Sequence, residues 1–511
     1  MNTWLNHWSL ALVTFLPIAG AIVMMALPKG NETLHKAFGL GTTLLTLAVG
    51  IWIFANFDYG NGGFQFVIDR SWIDTINSRF IMGMDGLSLP LFGLTLAVVP
   101  LVFIYSWNHI PEPGNAKAFL ALMLILETGM IGSFLAEDLI LFFVFFEIVL
   151  LPMYFMIGVW GGPDRKYASI KFFVYTLFGS ALMILSFLAL YFLAETPGGE
   201  LARTFDMRAL PDLTSNIAHG TQLLIFGGMF VGFGIKVPIF PFHTWLPDAH
   251  TQAPTQGSVI LAAVLLKLGT YGFVRIAINI LPEAAKSWAP WIGVLAVIGI
   301  IYGALGCLAQ TDMKRLIAFS SVAHMGYVML GIPTLTRHGI NAAMFGMVAH
   351  GLITGMLFFI AGSVKERYHT LEINRISGLL VQAPKLGWIF GFATMASLGL
   401  PGLAGFWGEF PAILSTFNPA DGLNVALYRT FMVIAAIGTV LAAGYLLWLF
   451  QRTAFGEPTE EFADDPHIVD VQPLEWIAWT PFLLAIVVFG VAPGLMFDIT
   501  EKALVALNLG S

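Results

Sequence analysis

Two lysines stand inside apolar runs: Lys236 in FVGFGIKVPIFPFHTWLPDAHTQAPT and Lys267 in VILAAVLLKLGTYGFV. An ammonium at the centre of a bilayer costs at least ~3 kcal/mol, so it persists only where a partner or a water-lined cavity receives it. Four further ionisable groups share this setting. Glu147 lies in FFVFFEIVLLPMYF, His324 in IAFSSVAHMGYVML, His350 in AAMFGMVAHGLITGMLFF and Glu409 in LGLPGLAGFWGEFPAIL. Glu147 has about eight residues of its run before it and about twelve after, which places it at least about 12 Å from either end of a helix. Lys267 is deeper, and both histidines are near mid-run. The proton affinity of a buried amine depends on whether a carboxylate stands beside it, and imidazole exchanges protons near neutrality. A lysine whose carboxylate partner comes and goes would alternately hold and release a proton. These residue types, strung through successive apolar runs, point to proton or ion transfer.

The elements that must position them are membrane helices. The 511 residues are 57% hydrophobic and only 11% charged, where soluble domains average about 25% charged. Fourteen apolar segments can be drawn, each near or above the ~20 residues that cross a bilayer as a helix: 9–27, 35–57, 83–107, 117–136, 138–160, 168–193, 221–247, 254–281, 288–309, 315–333, 339–362, 386–414, 424–452 and 475–497. The first lacks a basic leader or small-residue cleavage site and reads as a retained helix. Two segments should be broken beside their ionisable residue. Pro238 and Pro241 follow Lys236, while Pro401, Gly402, Gly405, Gly408 and Pro411 surround Glu409, and proline removes a helical hydrogen bond. Interrupted helices in matching positions of two halves mark the transfer site of many transporters. The offset here, 409 − 236 = 173 residues, approximates one five-helix unit.

Thirteen lysines and arginines, from Lys29 to Arg452, fall on the loops of one side, against five on the short loops and ends of the other. The richer side is expected to be cytoplasmic, and an even number of spans then leaves both termini on the outer, periplasmic side. The net charge of −7 shows no basic stripe suited to nucleic acid. No phosphate-cradling loop, H-E-x-x-H or C-x-x-C occurs, and the glycine run GGMFVGFGIK lies within an apolar segment, so nucleotide, flavin, metal and iron–sulfur binding are not expected in this chain. The single Cys307 excludes an intrachain disulfide and reads as a packing residue.

Each charged residue also has a structural reading. Lys236 and Glu409 can cap the backbone groups freed by their helix breaks, and a mid-helix histidine commonly makes one interhelical hydrogen bond. Glu127, in LILETGM, either extends the polar axis or bonds a neighbouring Ser or Thr. Asp248, His243 and His250 read as organisers of the broken-helix loop, with contact to a proton entrance as the alternative. Asp312, Lys314 and Arg315 read as anchors of a turn, and Asp85 as a cap at the positive end of its helix.

MDGLSLPL at 84–91, FFEIVLLPMYFMIGVWGG at 145–162, KVPIFPFHTWLPDAHTQAPTQGSVILAAVLLKLGTYG at 236–272, DMKRLIAFSSVAHMGYV at 312–328 and GLPGLAGFWGEF at 399–410 carry a resemblance over residues 80–455 or so. The chain resembles the antiporter-like proton-channel subunits of respiratory complex I, NADH:quinone oxidoreductase. Within that family FFEIVLLPMYF, Glu409 in place of a lysine and the lack of a long C-terminal extension align it with the M-type (chain 4) branch. The resemblance implies an all-α polytopic fold of about fourteen transmembrane helices with two inverted five-helix repeats. The divisions would be 1–116 for three leading helices, 117–281 and 282–455 for the repeats, and 456–511 for a C-terminal loop and last helix. It further implies that Glu147, Lys236, Lys267, His324, His350 and Glu409 carry protons. NADH, FMN, iron–sulfur clusters and quinone would belong to partner subunits, with L-type and N-type antiporter-like neighbours and the lipid bilayer in contact with this chain. A subunit of a multisubunit cation/proton antiporter, the plastoquinone-linked photosynthetic counterpart of complex I and a non-conducting structural subunit are the alternatives.

Overall fold

The structure, a computed structural model, describes residues 3–463 and 465–510. Among them twelve helices are long and apolar enough to cross a bilayer. The other two expected segments are present as broken helices. One runs His219–Lys236 and resumes at Trp245–Gln252, and the other runs Pro384–Ser397 and resumes at Ala404–Ser415.

The breaks sit where the prolines and glycines dictate. After Lys236 the chain turns through Pro238 and Pro241, and the carbonyls this frees are taken up locally. Ile239 N–H donates to the Gly234 carbonyl at 2.9 Å and the Trp245 indole donates to that of Ile235 at 2.9 Å. Non-helical backbone at membrane depth requires such satisfaction. The second break uses Gly399 and Gly402 at φ +80° and +94°, a backbone region that glycine enters without a Cβ penalty.

A third interruption was not foreseen. The expected 138–160 segment is two helices, Leu139–Ile148 and Leu150–Trp160, joined at Val149. Pro152 cannot donate to the Ile148 carbonyl, so the joint falls directly after Glu147.

Helices that are apolar all round belong in the centre. Thr255–Ile278, Arg337–Tyr368 and Met313–Thr334 occupy it, nearly wholly buried, while Glu32–Asn56 and Pro473–Val491 expose most of their surface to the surroundings. Thr255–Ile278 is not a regular α-helix: Leu261–Leu265 and Phe273–Ile278 are π-helical, one on each side of Lys267. π turns are rare and concentrate at functional sites.

Among the described residues the helices are interrupted by one β-sheet. Gln65–Ile73 (β1) and Ser78–Met84 (β2) form an antiparallel hairpin with Arg70 opposite Phe80, closed by the short helix Asp74–Ile76 and by Asn77 at φ +49°. It lies between the second and third spans. The other long loop on the same side packs against it: Arg208 bridges Asp206 at 2.7 Å and Asp69 at 2.9 Å, and Arg79 adds 2.6 Å to Asp69. Burial pushes the Asp69 carboxyl up, but the hydrogen bonds from Arg208 and Arg79 outweigh it and hold the group below its ordinary value. At the C-terminal end the expected 475–497 span stops at Val491, and a separate helix, Gly494–Ala506, follows Pro493. That helix lies against the central Arg337–Tyr368 helix, where Asn341 Nδ2 donates to the Phe497 carbonyl at 3.2 Å.

Candidate proton-transfer site

Four of the six residues singled out from the sequence form one connected row. Lys267 is fully buried. Its Nζ donates to the carbonyl of Ala262, five residues back in the π-helical turn, and meets His350 Nδ1 at 2.7 Å. A pairing of amine and imidazole nitrogen holds a single proton between two bases, so either group can carry it. The other nitrogen of His350, Nε2, has no protein partner.

From His350 the row continues to His324, the ring centroids 6.3 Å apart. His324 Nδ1 hydrogen-bonds the Glu409 carboxylate, while its Nε2 faces Tyr445 Oη at 3.1 Å and Ser397 Oγ at 3.4 Å. His350, His324, Glu409, Ser397 and Tyr327 line a common cavity of about 20 Å³, enough for a single water. A water there can bridge the gap that the two imidazoles leave.

Backbone contact makes the row possible. A Cβ on Gly408 would come within 2.6 Å of Gly346 Cα, so the helix carrying Glu409 touches the helix carrying His350 main chain to main chain. A Cβ on Gly399 would come within 3.2 Å of a Glu409 carboxylate oxygen, which places the helix break beside that group. The Glu409 carboxyl also retains some access, with 12% of its side chain exposed. On its outer side the same helix lines a cavity of about 740 Å³ through Trp407 and Pro411, together with Arg337, His338 and Glu501.

The remaining two residues are close to each other but apart from this row. Lys236 is 2% exposed, its Nζ has no hydrogen-bond partner, and it lies 4.7 Å from the centroid of the Phe146 ring, within cation–π range. Glu147 acts on it through charge without an ion pair, and its carboxylate is held instead by the Ser180 hydroxyl. Glu147 is half-buried. Close packing at Gly269, whose Cβ would meet the Phe233 carbonyl at 2.6 Å, brings the helices of Lys236 and Lys267 together. No hydrogen bond or ion pair links the two lysines among the described residues. The six residues thus fall into one row, with a gap between its two histidines, and one separate pair.

The lesser candidates divide as well. Asp85 accepts the N–H groups of Leu87 and Ser88 at the head of Ser88–Ser106, as a cap would, and also pairs with the buried Arg275 at 2.5 Å. Asp312 caps Met313–Gly331 through Arg315 N–H at 2.8 Å. Asp248 binds Lys171 at 2.7 Å, and Lys314 donates to the Ala253 carbonyl; these are loop anchors. His243 packs edge-on against Tyr302. His250 is stacked on Phe358 with neither ring nitrogen bonded. Glu127 is fully buried and makes no hydrogen bond to Ser or Thr on either oxygen, so the interhelical bond weighed for it is absent.

Sequence reasoning passed over Ser180, Ser397 and Tyr445, each of which holds one end of a transfer group. A lone tyrosine in LAAGYLLWLF was a usable signal, because a buried O–H seeks a partner. Glu137 was missed too. It is 1% exposed, sits between the fourth and fifth spans, and lies 3.7 Å from Arg275. Burial above all, with the Asp85 carboxylate adding to it, pushes its carboxyl up to about 8, against the opposing pull of Arg275.

Fold and row together define a class: a multi-pass membrane protein of antiporter-like build, with paired broken helices and buried amine, imidazole and carboxylate groups. Residues 136–443 match the family model described as NADH:quinone oxidoreductase/Mrp antiporter, TM, and residues 11–133 match that of NADH-ubiquinone oxidoreductase chain 4, amino terminus. NADH-quinone oxidoreductase subunit M of Rhodobacter capsulatus is 41% identical over 497 residues, 96% of this chain and 94% of that one. A chain of respiratory complex I from Thermus thermophilus superposes with a TM-score of 0.84 at 29% identity, covering 98% of this chain and 99% of its own. A chain of the Mrp complex from Dietzia sp. shares the fold at a TM-score of 0.83 and 20% identity, over 97% of this chain and 52% of its own. This chain belongs to the NADH:quinone oxidoreductase/Mrp antiporter transmembrane family, and the resemblance read from its motifs extends over nearly its whole length.

Proposed function

We propose that this chain is the M-type, proton-translocating membrane-arm subunit of an NADH:quinone oxidoreductase. It takes no part in the redox chemistry and holds no cofactor. NADH, FMN, iron–sulfur clusters and quinone belong to its partners, and antiporter-like subunits of the L and N types flank it in the bacterial inner membrane. The observation that carries the reading is a pair of hydrogen-bonded couples at the centre of the fold, Lys267–His350 and His324–Glu409, with a water-sized cavity between them.

Protons are carried by six groups. Quinone reduction elsewhere changes how strongly Glu147 acts on Lys236, which alters the hold of Lys236 on its proton. The Lys236 proton is handed toward Lys267, crosses the shared proton position to His350, and passes by water to His324 and Glu409. The absence of an ion pair between Glu147 and Lys236 corresponds to the state in which Lys236 is not anchored. Transfer between Lys236 and Lys267 requires water to enter a gap that is closed in this conformation.

The chain is divided into two inverted five-helix units, 117–281 and 282–455, between three leading helices and a C-terminal segment, with fourteen crossings in all and both termini outside. The broken helix is the fourth of each unit, which supports this division, and the basic loops support the orientation.

Replacing Lys267 or Glu147 by Ala in the assembled complex tests the route. Proton pumping should fall by at least tenfold relative to electron transfer, measured as proton-to-electron stoichiometry in sealed vesicles after assembly has been verified. Normal stoichiometry in both variants would refute it. Isolation from native membranes with identification of the companion subunits separates this reading from a cation/proton antiporter, which would lack the flavin and iron–sulfur subunits.

A further inference from the structure

The helices Leu5–Ala26, half-exposed, and Ala116–Leu135, mostly buried, run antiparallel against each other, and Leu150–Trp160 flanks them. Between them is a groove of about 500 Å³ with an entirely apolar lining. Its floor is made of small residues, Ala21, Ala118 and Ala121, and its rim of large ones such as Ile22 and Phe155, which are exposed. It extends from Met25 to Ile18 on one helix and from Ala118 to Ile125 on the other. That is seven residues, or about 10 Å along each helix, and therefore most of one leaflet of a ~30 Å hydrocarbon core.

At its end the groove adjoins, through the shared residues Met25 and Ala118, a second cavity of about 490 Å³ lined in part by the polar side chains of Glu32, His35 and Asn115. Lys29 and Lys117 stand there. The one carboxylate present, Glu32, is occupied by Lys36 at 2.6 Å, so it does not neutralise them. Lys117 spends one of its three donors on the Leu27 carbonyl at 2.7 Å. Lys29 is exposed and has no hydrogen bond or ion pair among the described residues. Trp160, whose indole donates to the Gly114 carbonyl at 2.6 Å, stands at the level where apolar lining gives way to polar, the usual position of tryptophan at a membrane interface.

We propose that this face binds one anionic glycerophospholipid, with an acyl chain in the alanine-floored groove and the phosphate against Lys29 and Lys117. An apolar trough running along the membrane normal and ending at uncompensated cations matches a molecule that is hydrocarbon for the depth of a leaflet and anionic at its end. A partner helix would supply the apolar part but would have to bring its own acidic end to the same level. The proposal does not depend on the transfer row, which lies on other helices.

The test is to isolate the tagged chain with its partner subunits from native membranes and to quantify retained phospholipids by mass spectrometry after graded detergent washing. The wild type should keep one anionic phospholipid that Ala118→Phe, which fills the groove, does not keep. Lys29→Gln and Lys117→Gln should each weaken retention about fivefold and leave zwitterionic phospholipid unaffected. Because Lys117 also supports the backbone of Leu27, Lys29→Gln is the cleaner of the two. Equal retention in wild type and Ala118→Phe would overturn the proposal, as would a Lys29→Gln variant that loses anionic and zwitterionic lipid alike. Met25→Cys supplies a further check, since Cys307, the only native cysteine, is buried. Efficient crosslinking of this cysteine to a companion subunit would show that a protein covers the groove and would also overturn the proposal.

Discussion

His324 is bonded on both ring nitrogens, to Glu409 on one side and to Tyr445 and Ser397 on the other. Nδ1 faces the Glu409 carboxyl, and at Nε2 the Tyr445 hydroxyl can either donate or accept, whichever tautomer the ring adopts. Tyr445→Phe removes that adaptable partner while keeping the ring. Loss of one hydrogen bond of ~1 kcal/mol should slow proton delivery about fivefold, with assembly unchanged, as read by a pH-sensitive dye in reconstituted vesicles. Glu137 allows a prediction of a different kind. Its carboxyl sits at about 8 in the fold against an ordinary 4.5, so the folded chain binds the proton more tightly than the unfolded one does. The stabilisation from that proton is complete below about 4.5 and is lost as the pH rises through about 8. Thermal unfolding in detergent should therefore show stability falling across this window, and Glu137→Gln, which is neutral at every pH, should flatten the fall.

At the level of elements, the site is an outcome of how closely helices can approach. Gly346 and Gly408 let two main chains touch, and there the atom that a new Cβ would strike is backbone, which cannot turn aside. Gly408→Val should cost about 2 kcal/mol through overpacking and push Glu409 away from His324, abolishing transfer even though every ionisable group is retained. Comparing the melting temperature with pumping in the same preparation would distinguish this from simple unfolding, because Gly444→Val, on an outer helix with open space at the Cβ position, should spare both. The two broken helices were legible as proline and glycine clusters. The joint after Glu147 was not, although Pro152 lies in the middle of the expected 138–160 segment, because a lone proline within a membrane helix is commonly accommodated without a break. The π turns around Lys267 left no sign in VILAAVLLKLGTYGFV, since apolar residues fit α and π geometry alike.

For the molecule as a whole, the outer surface is tied together by charge. Asp69 of the hairpin holds Arg208 of the second long loop, and both groups are about one-third exposed, so the pair is worth at most about 1 kcal/mol. Asp69→Asn should accelerate hydrogen–deuterium exchange in residues 65–84 several-fold and leave the central helices protected. The Asp69 carboxyl is held below its ordinary value, so acidification should produce the same loosening: this contribution is present above the unfolded-state value and is lost as the pH falls through the folded one. Exchange rates unaffected by either change would show that packing, not charge, fastens the two loops.

What the sequence by itself determined was solvent, element type and chemistry. An apolar chain with few charges must form helices in a bilayer, because only there are its backbone groups satisfied. Ionisable groups kept at such depth must be functional or paired, and prolines beside two of them must interrupt their helices. Which groups would meet was decided by the tertiary structure alone. Lys267 and His350 are 350 − 267 = 83 residues apart, and His324 and Glu409 are 85 apart; their contacts depend on helix rotation and on main chains meeting at Gly346 and Gly408. The same packing left Lys236 against Phe146 and Glu147 against Ser180. Sequence spacing determines how deep a residue lies, whereas helix-to-helix packing determines what it faces, and proton transfer depends on both.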